Sequence, residues 1–186
     1  MVNLAYLKQR VIKEIKKDFI NHPIIPNIQL TNFLNHEEFN KLKKQITKLK
    51  YKLNYQPDMH SYYSAKTPKQ FDSLIKSKGF KIFIEQCTGE KIKNITTEAQ
   101  LFKAGNYTLL QDKQNKKNIT IYFDFNKLKQ GYTVFFNKNY NNLNQYSIPN
   151  ALSIVKQAPN FKSFIKYINH QEKGKRYLIK GIFTIK

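Results

Sequence analysis

The chain has 186 residues, 40% hydrophobic and 14% aromatic, and a formal net charge of +21 from 33 basic and 12 acidic side chains. Its length and apolar content suit one domain that buries a core and exclude a disordered polyelectrolyte. No run approaches the roughly 20 apolar residues of a membrane span, and the single cysteine, Cys87, excludes a disulfide framework or a Cys-based zinc site within one chain.

A charge of this size attracts polyanions such as nucleic acid or anionic lipid. Lys, Asn and Ile are abundant together, as in proteins from A+T-rich genomes, and the lysines are spread along the whole chain. Compositional bias and a polyanionic partner therefore both account for the charge at this level. Lys8, Arg10, Lys13, Lys16 and Lys17 interrupt any signal-peptide apolar core. Glu14, Asp18 and the shortage of Arg and Ser argue against a transit peptide. With one cysteine, the expected location is the cytoplasm or another reducing intracellular compartment.

In chain order, Leu4, Leu7, Val11, Ile15 and Phe19 recur at helical spacing with lysines between them, which predicts an amphipathic basic helix packed on the domain. Pro23 and Pro26 make the next stretch extended, and Ile28–Leu34 suits a short strand. Asn35, with Glu38 three residues on, opens a capped helix whose buried stripe is Phe39, Leu42, Ile46 and Leu49. The tyrosine-rich segment 51–66 is expected as a long loop or irregular strand. Thr67-Pro68-Lys69-Gln70 is a helix start with Thr67 as N-cap and Pro68 at the first helical position. Phe71, Leu74 and Ile75 supply the apolar face, and Gly79 is expected to end that helix. A second short helix, Phe80 to Cys87, stops at Thr88-Gly89 with Cys87 as a buried thiol. After this point the apolar period becomes two, and only strands are predicted. The expected organisation is a basic helix and lead-in over 1–27, then one β-rich domain over 28–186 with helices at about 35–49 and 68–88.

A search for chemistry gives little. His22, His36, His60 and His170 are not at metal-ligand spacing, the six glycines are isolated, and no Ser/His/Asp pattern exists. Asp112 and Asp124 are the carboxylates that fall within the early core strands.

The order of segments and the run Phe102-Lys-Ala-Gly105-Asn-Tyr-Thr-Leu-Leu-Gln111 resemble the 2-oxoglutarate/Fe(II)-dependent oxygenases, closest to the prolyl hydroxylase-related subgroup, over roughly residues 28 to 185. The resemblance implies an α+β chain, a double-stranded β-helix (jelly roll) backed by N-terminal helices. It also implies positions. The H-x-D histidine falls on Gln111 and its aspartate on Lys113, the distal histidine on Ser163, and the Gly-Gly pair on Gln130-Gly131. The Pro-x-Asn turn survives as Pro149-Asn150, and the arginine that grips the cosubstrate's distal carboxylate is matched by Arg176.

These substitutions remove the iron triad. Gln and Ser are weak neutral ligands for Fe(II), whose facial site uses two imidazoles and a carboxylate. An ammonium at Lys113 repels a cation: two unit charges about 4 Å apart cost about 4 kcal/mol at an effective dielectric of about 20, and a dication roughly doubles that. The expectation is a degenerate member with no iron and no catalytic residues. Arg176 remains as the residual 2-oxoglutarate carboxylate position. Lys113 either joins it as an anion contact or snorkels to solvent. The expected role is a basic binding or structural module for RNA or a ribonucleoprotein such as a ribosome, ahead of a membrane surface. Two other readings are an active Fe(II)/2-oxoglutarate hydroxylase with an unorthodox metal site, and a sensor of 2-oxoglutarate or another small anion.

Overall fold

The computed structural model describes residues 2–109, 117–139, 141–159 and 161–186. A 3-10 turn, Leu4–Leu7, leads into helix α1, Gln9–Ile20, and a short strand β1, Asn27–Leu30. Helix α2, His36–Thr47, starts where expected: the Asn35 side chain accepts from the Glu38 N–H at 2.9 Å. A hairpin of β2, Lys52–Gln56, and β3, His60–Ala65, follows. Helices α3, Lys69–Lys76, and α4, Lys78–Thr88, complete the helical layer. The remaining strands are β4, Ile92–Phe102; β5, Tyr107–Thr108; β6, Asn118–Asp124; β7, Leu128–Phe136; β8, Asn142–Ser147; β9, Ala151–Gln157; β10, Lys162–Ile165; and β11, Arg176–Ile185.

Three local expectations change. Segment 51–66 is a regular hairpin whose turn needs Asp58 at φ 57°, a left-handed value that Asp tolerates. The α3/α4 break is at Ser77 rather than Gly79. Ser77 is extended, its hydroxyl accepts from the Phe80 N–H at 3.1 Å, and Gly79 lies inside the first turn of α4. Pro68, not Thr67, is the N-cap of α3, with its carbonyl accepting from the Phe71 and Asp72 N–H groups. Gly89 caps α4 in the left-handed conformation, as its position after the apolar stripe predicts.

The strands form two facing sheets, and every strand pairing among the described residues is antiparallel. The large sheet runs β1-β9-β6-β11-β4-β3-β2, with β5 also paired to β3; the small one runs β10-β7-β8. From β6 onward the chain passes between the two, giving the double-stranded β-helix of an α+β jelly roll. Period-two alternation explains how one sheet serves two cores. In β6, Ile119, Ile121 and Phe123 point to the helices, whereas Tyr122 belongs to the cluster between the sheets. In β11, Ile179 and Phe183 join the helical side and Leu178 the inner side. The helical core includes Ile12, Ile15 and Phe19 of α1 together with Cys87, whose thiol pKa burial raises to about 12.

Two features join the helical layer to the sheets. Phe33 is fully buried and meets the rings of Tyr6, Phe80, Phe83 and Phe123 at centroid distances of 5.9–6.4 Å. Asn150, at φ 57° in the Pro149-Asn150 turn, clamps the Leu34 backbone: its Oδ1 accepts from the Leu34 N–H at 2.9 Å and its Nδ2 donates to the Leu34 carbonyl at 2.8 Å. Both bonds are buried, so Asn150→Ala strands two backbone groups and should cost about 2–4 kcal/mol. Phe33→Ala should cost about 3–5 kcal/mol. Urea unfolding monitored by far-UV circular dichroism checks both values.

Candidate functional site in the barrel mouth

The inner face of the large sheet carries the polar residues. Register sets Ser64 beside Gln100, Gln100 beside Leu178, and Leu178 beside Asp124; the neighbouring row is Glu98, Lys180, Tyr122 and Ser153. Arg176, Leu178 and Lys180 share this face because they are two residues apart on one strand.

Arg176 is completely buried. Its Nε donates to Asp124 Oδ1 at 2.7 Å and one terminal nitrogen to Asp124 Oδ2 at 3.1 Å, so the pair is bidentate and both side chains are sealed from solvent. The other terminal nitrogen donates to the Gly131 carbonyl at 2.7 Å and to Thr133 Oγ1 at 3.1 Å, both on the small sheet. Ser147, on the small sheet too, donates to Asp124 Oδ1 at 3.0 Å and is also hydrogen-bonded to the Asn126 carbonyl. The guanidinium therefore ties the two sheets together, and an internal carboxylate fills the fork that would grip a ligand's carboxylate. Gly131 is required here: its φ is 66°, and an added Cβ would lie 2.6 Å from Ile168.

Beside this pair lies a cavity of about 50 Å³ lined by Tyr62, Gln100, Thr108, Tyr122, Thr133, Ser163, Phe164, Ile165 and Lys180. Burial pushes the Tyr122 hydroxyl pKa up to about 12, against the opposing influence of Arg176 and of the nearby Ser163 and Gln157 side chains. Burial lowers the Lys180 pKa, and the charge of Glu98 opposes that shift. Outside the cavity, Lys50, Lys52 and Lys66 line an open groove of about 640 Å³ with Ser64, Thr97 and Glu98.

Of the positions implied by the sequence, Ser163 lies on the cavity wall and Arg176 behind it, linked through Thr133. Gln111 and Lys113 lie outside the described residues. His170 is in the exposed turn after β10, near Gly105, and does not line the cavity. The sequence reading missed Asp124 as the partner of Arg176 and missed Lys180 altogether. The signal for Lys180 was its even spacing from Arg176 on an apolar strand. No local signal joins Asp124 to Arg176 across 52 residues.

The donor set among the described residues does not fit Fe(II). Among the described residues no group of three or more His, Cys, Asp or Glu side chains is placed to hold a metal ion, and the cavity offers hydroxyls, an amide and an amine instead. A cosubstrate carboxylate reaching for Arg176 would have to displace Asp124.

No family model matches the sequence, and no curated protein matches it. Solved structures do match. A prolyl-4-hydroxylase from Pseudomonas putida superposes with a TM-score of 0.73 at 10% identity, over 94% of this chain and 99% of that one. A Trichoplax adhaerens prolyl hydroxylase, solved with a hypoxia-inducible-factor peptide fragment, gives 0.72 at 12% identity, over 94% and 89%. A 2OG-Fe(II) oxygenase-family protein from Burkholderia pseudomallei gives 0.72 at 8% identity, over 93% and 90%. The fold is that of the 2-oxoglutarate/Fe(II) oxygenases. Within it, the arginine expected to hold cosubstrate is instead held by the protein.

Two outcomes are expected. Asp124→Asn leaves a buried guanidinium without its counter-charge and should destabilise by about 3–5 kcal/mol, whereas the double replacement Asp124→Leu with Arg176→Met should cost far less; denaturant titrations of the three proteins check this. Lys180 titrates under the influence of its burial, with the charge of Glu98 opposing it. Because folding lowers its pKa below 10.5, the unfolded chain binds more protons, and the penalty is greatest at low pH and fades as pH rises to 10.5. The stability difference between Lys180→Met and the parent should therefore shrink as pH rises from neutrality to that value.

Proposed function

We propose that this chain is a catalytically degenerate protein of the oxygenase fold that acts as a basic binding module for RNA or a ribonucleoprotein. The observation that carries the reading is the closed Arg176–Asp124 fork, which removes the cosubstrate's carboxylate anchor. The donor chemistry of the cavity agrees with it. The binding role draws on the net charge of +21 and on the exposed Lys50, Lys52 and Lys66 that converge on one groove at the sheet edge. Exposed Tyr55, on the neighbouring hairpin, offers a surface for base stacking. No helix among the described residues is long and apolar enough to cross a membrane. An RNA partner suits a groove of separate lysines with aromatic residues nearby, and a ribosome is the polyanion of this kind that the reading favours over lipid.

Two measurements test it. Protein supplied with Fe(II) and 2-oxoglutarate should form no succinate above the uncatalysed background; turnover would establish an active hydroxylase and defeat the degenerate reading. Binding to structured RNA should weaken steeply with salt, and replacing Lys50, Lys52 and Lys66 together by Glu should flatten the log–log slope by about two to three. A slope near zero in the parent protein would remove the polyanion role.

A further inference from the structure

Among the described residues, the cavity in the barrel mouth has one charged wall residue, and it is not one that the oxygenase resemblance points to. Lys180 reaches it from β11, and among the described residues its amine has no hydrogen-bond or ion-pair partner; Glu98 acts on it only through space. Glu98 itself is engaged by the Gln100 amide at 2.7 Å and faces the outer groove.

Two of the hydroxyls around Lys180 already accept a hydrogen bond each. Thr108 Oγ1 accepts from the Ile165 N–H at 2.7 Å. Thr133 Oγ1 accepts from Arg176 at 3.1 Å. Each keeps its proton to donate. Ser163 adds a third hydroxyl beside Tyr122. Donors thus come from four strands, β5, β7, β10 and β11, belonging to both sheets. Such a set lacks an acceptor of negative charge and is enclosed enough to strengthen charge-assisted bonds. With about 10–15 Å³ needed per water, a cavity of about 50 Å³ holds a group of about three to five heavy atoms. Donors arriving from several directions suit a tetrahedral ion better than a planar carboxylate.

We propose that the cavity walled by Lys180, Thr108, Thr133 and Ser163 is a binding site for a small tetrahedral oxyanion of the phosphate or sulfate class. The ion gives the Lys180 ammonium its missing partner and each hydroxyl an acceptor. The Arg176–Asp124 pair stays closed, so this is not the cosubstrate site of the fold, and binding does not depend on the RNA reading above.

Isothermal titration calorimetry with inorganic phosphate, sulfate and acetate tests it. Phosphate and sulfate should bind in the millimolar range or tighter, and acetate more weakly. Lys180→Met should lose at least about tenfold in affinity, and Lys180→Arg should retain more than Met does. The Lys50/Lys52/Lys66→Glu protein should keep phosphate binding even where it loses RNA, which separates failure of one reading from failure of the other. Should Lys180→Met not fold, Ser163→Ala, which removes one donor and no charge, takes its place, and weaker phosphate binding supports the site. No phosphate binding by the parent protein, or affinity unchanged by either substitution, overturns the proposal.

Discussion

A guanidinium sealed between two sheets fixes the architecture around it. Arg176 cannot be buried uncompensated, since an isolated charge in the interior costs several kcal/mol. Four acceptor contacts resolve that cost: two on Asp124, one on the Gly131 carbonyl and one on Thr133. They belong to both sheets, so satisfying the arginine sets the spacing of the barrel wall at that point. The left-handed backbone at Gly131 and the Ser147 hydroxyl on Asp124 follow from the same requirement.

This arrangement also divides the barrel interior. Behind the arginine the space is filled by Leu128, Ile168 and their neighbours. In front, polar side chains leave a small cavity with an amine at its wall. The protein supplies its own carboxylate to the arginine, and the cavity beside the pair stays separate from it.

Much of the scaffold was legible in the sequence because it rests on local rules. Asn35 with Glu38 announced α2, Gly89 announced the end of α4, and the change to period two after Gly89 announced a run of strands, whose jelly-roll arrangement the family resemblance implied. The β2–β3 hairpin was not legible, since it lies at a sheet edge: β3 does not alternate in polarity, and the apolar Leu53 and Tyr55 that alternate in β2 stay exposed. The site was only half legible. Arg176 and Ser163 were found as positions, but their chemistry depends on partners that register brings from other strands. Asp124 could be counted as a core-strand carboxylate, yet its pairing is a property of β6 lying beside β11.

That adjacency has a consequence for how the molecule assembles. Strand β11 lies between β4 and β6, so neither can be paired on that side until every intervening residue has been made. Closure of the sheet therefore joins segments far apart in the chain, the kind of contact that slows folding. In the meantime two strand edges stand open, one of them on β6, which the finished fold buries almost throughout. A chain carrying +21 charges repels its own copies during that interval. Whatever the lysines bind in the finished protein, they also keep unfinished copies from pairing with each other.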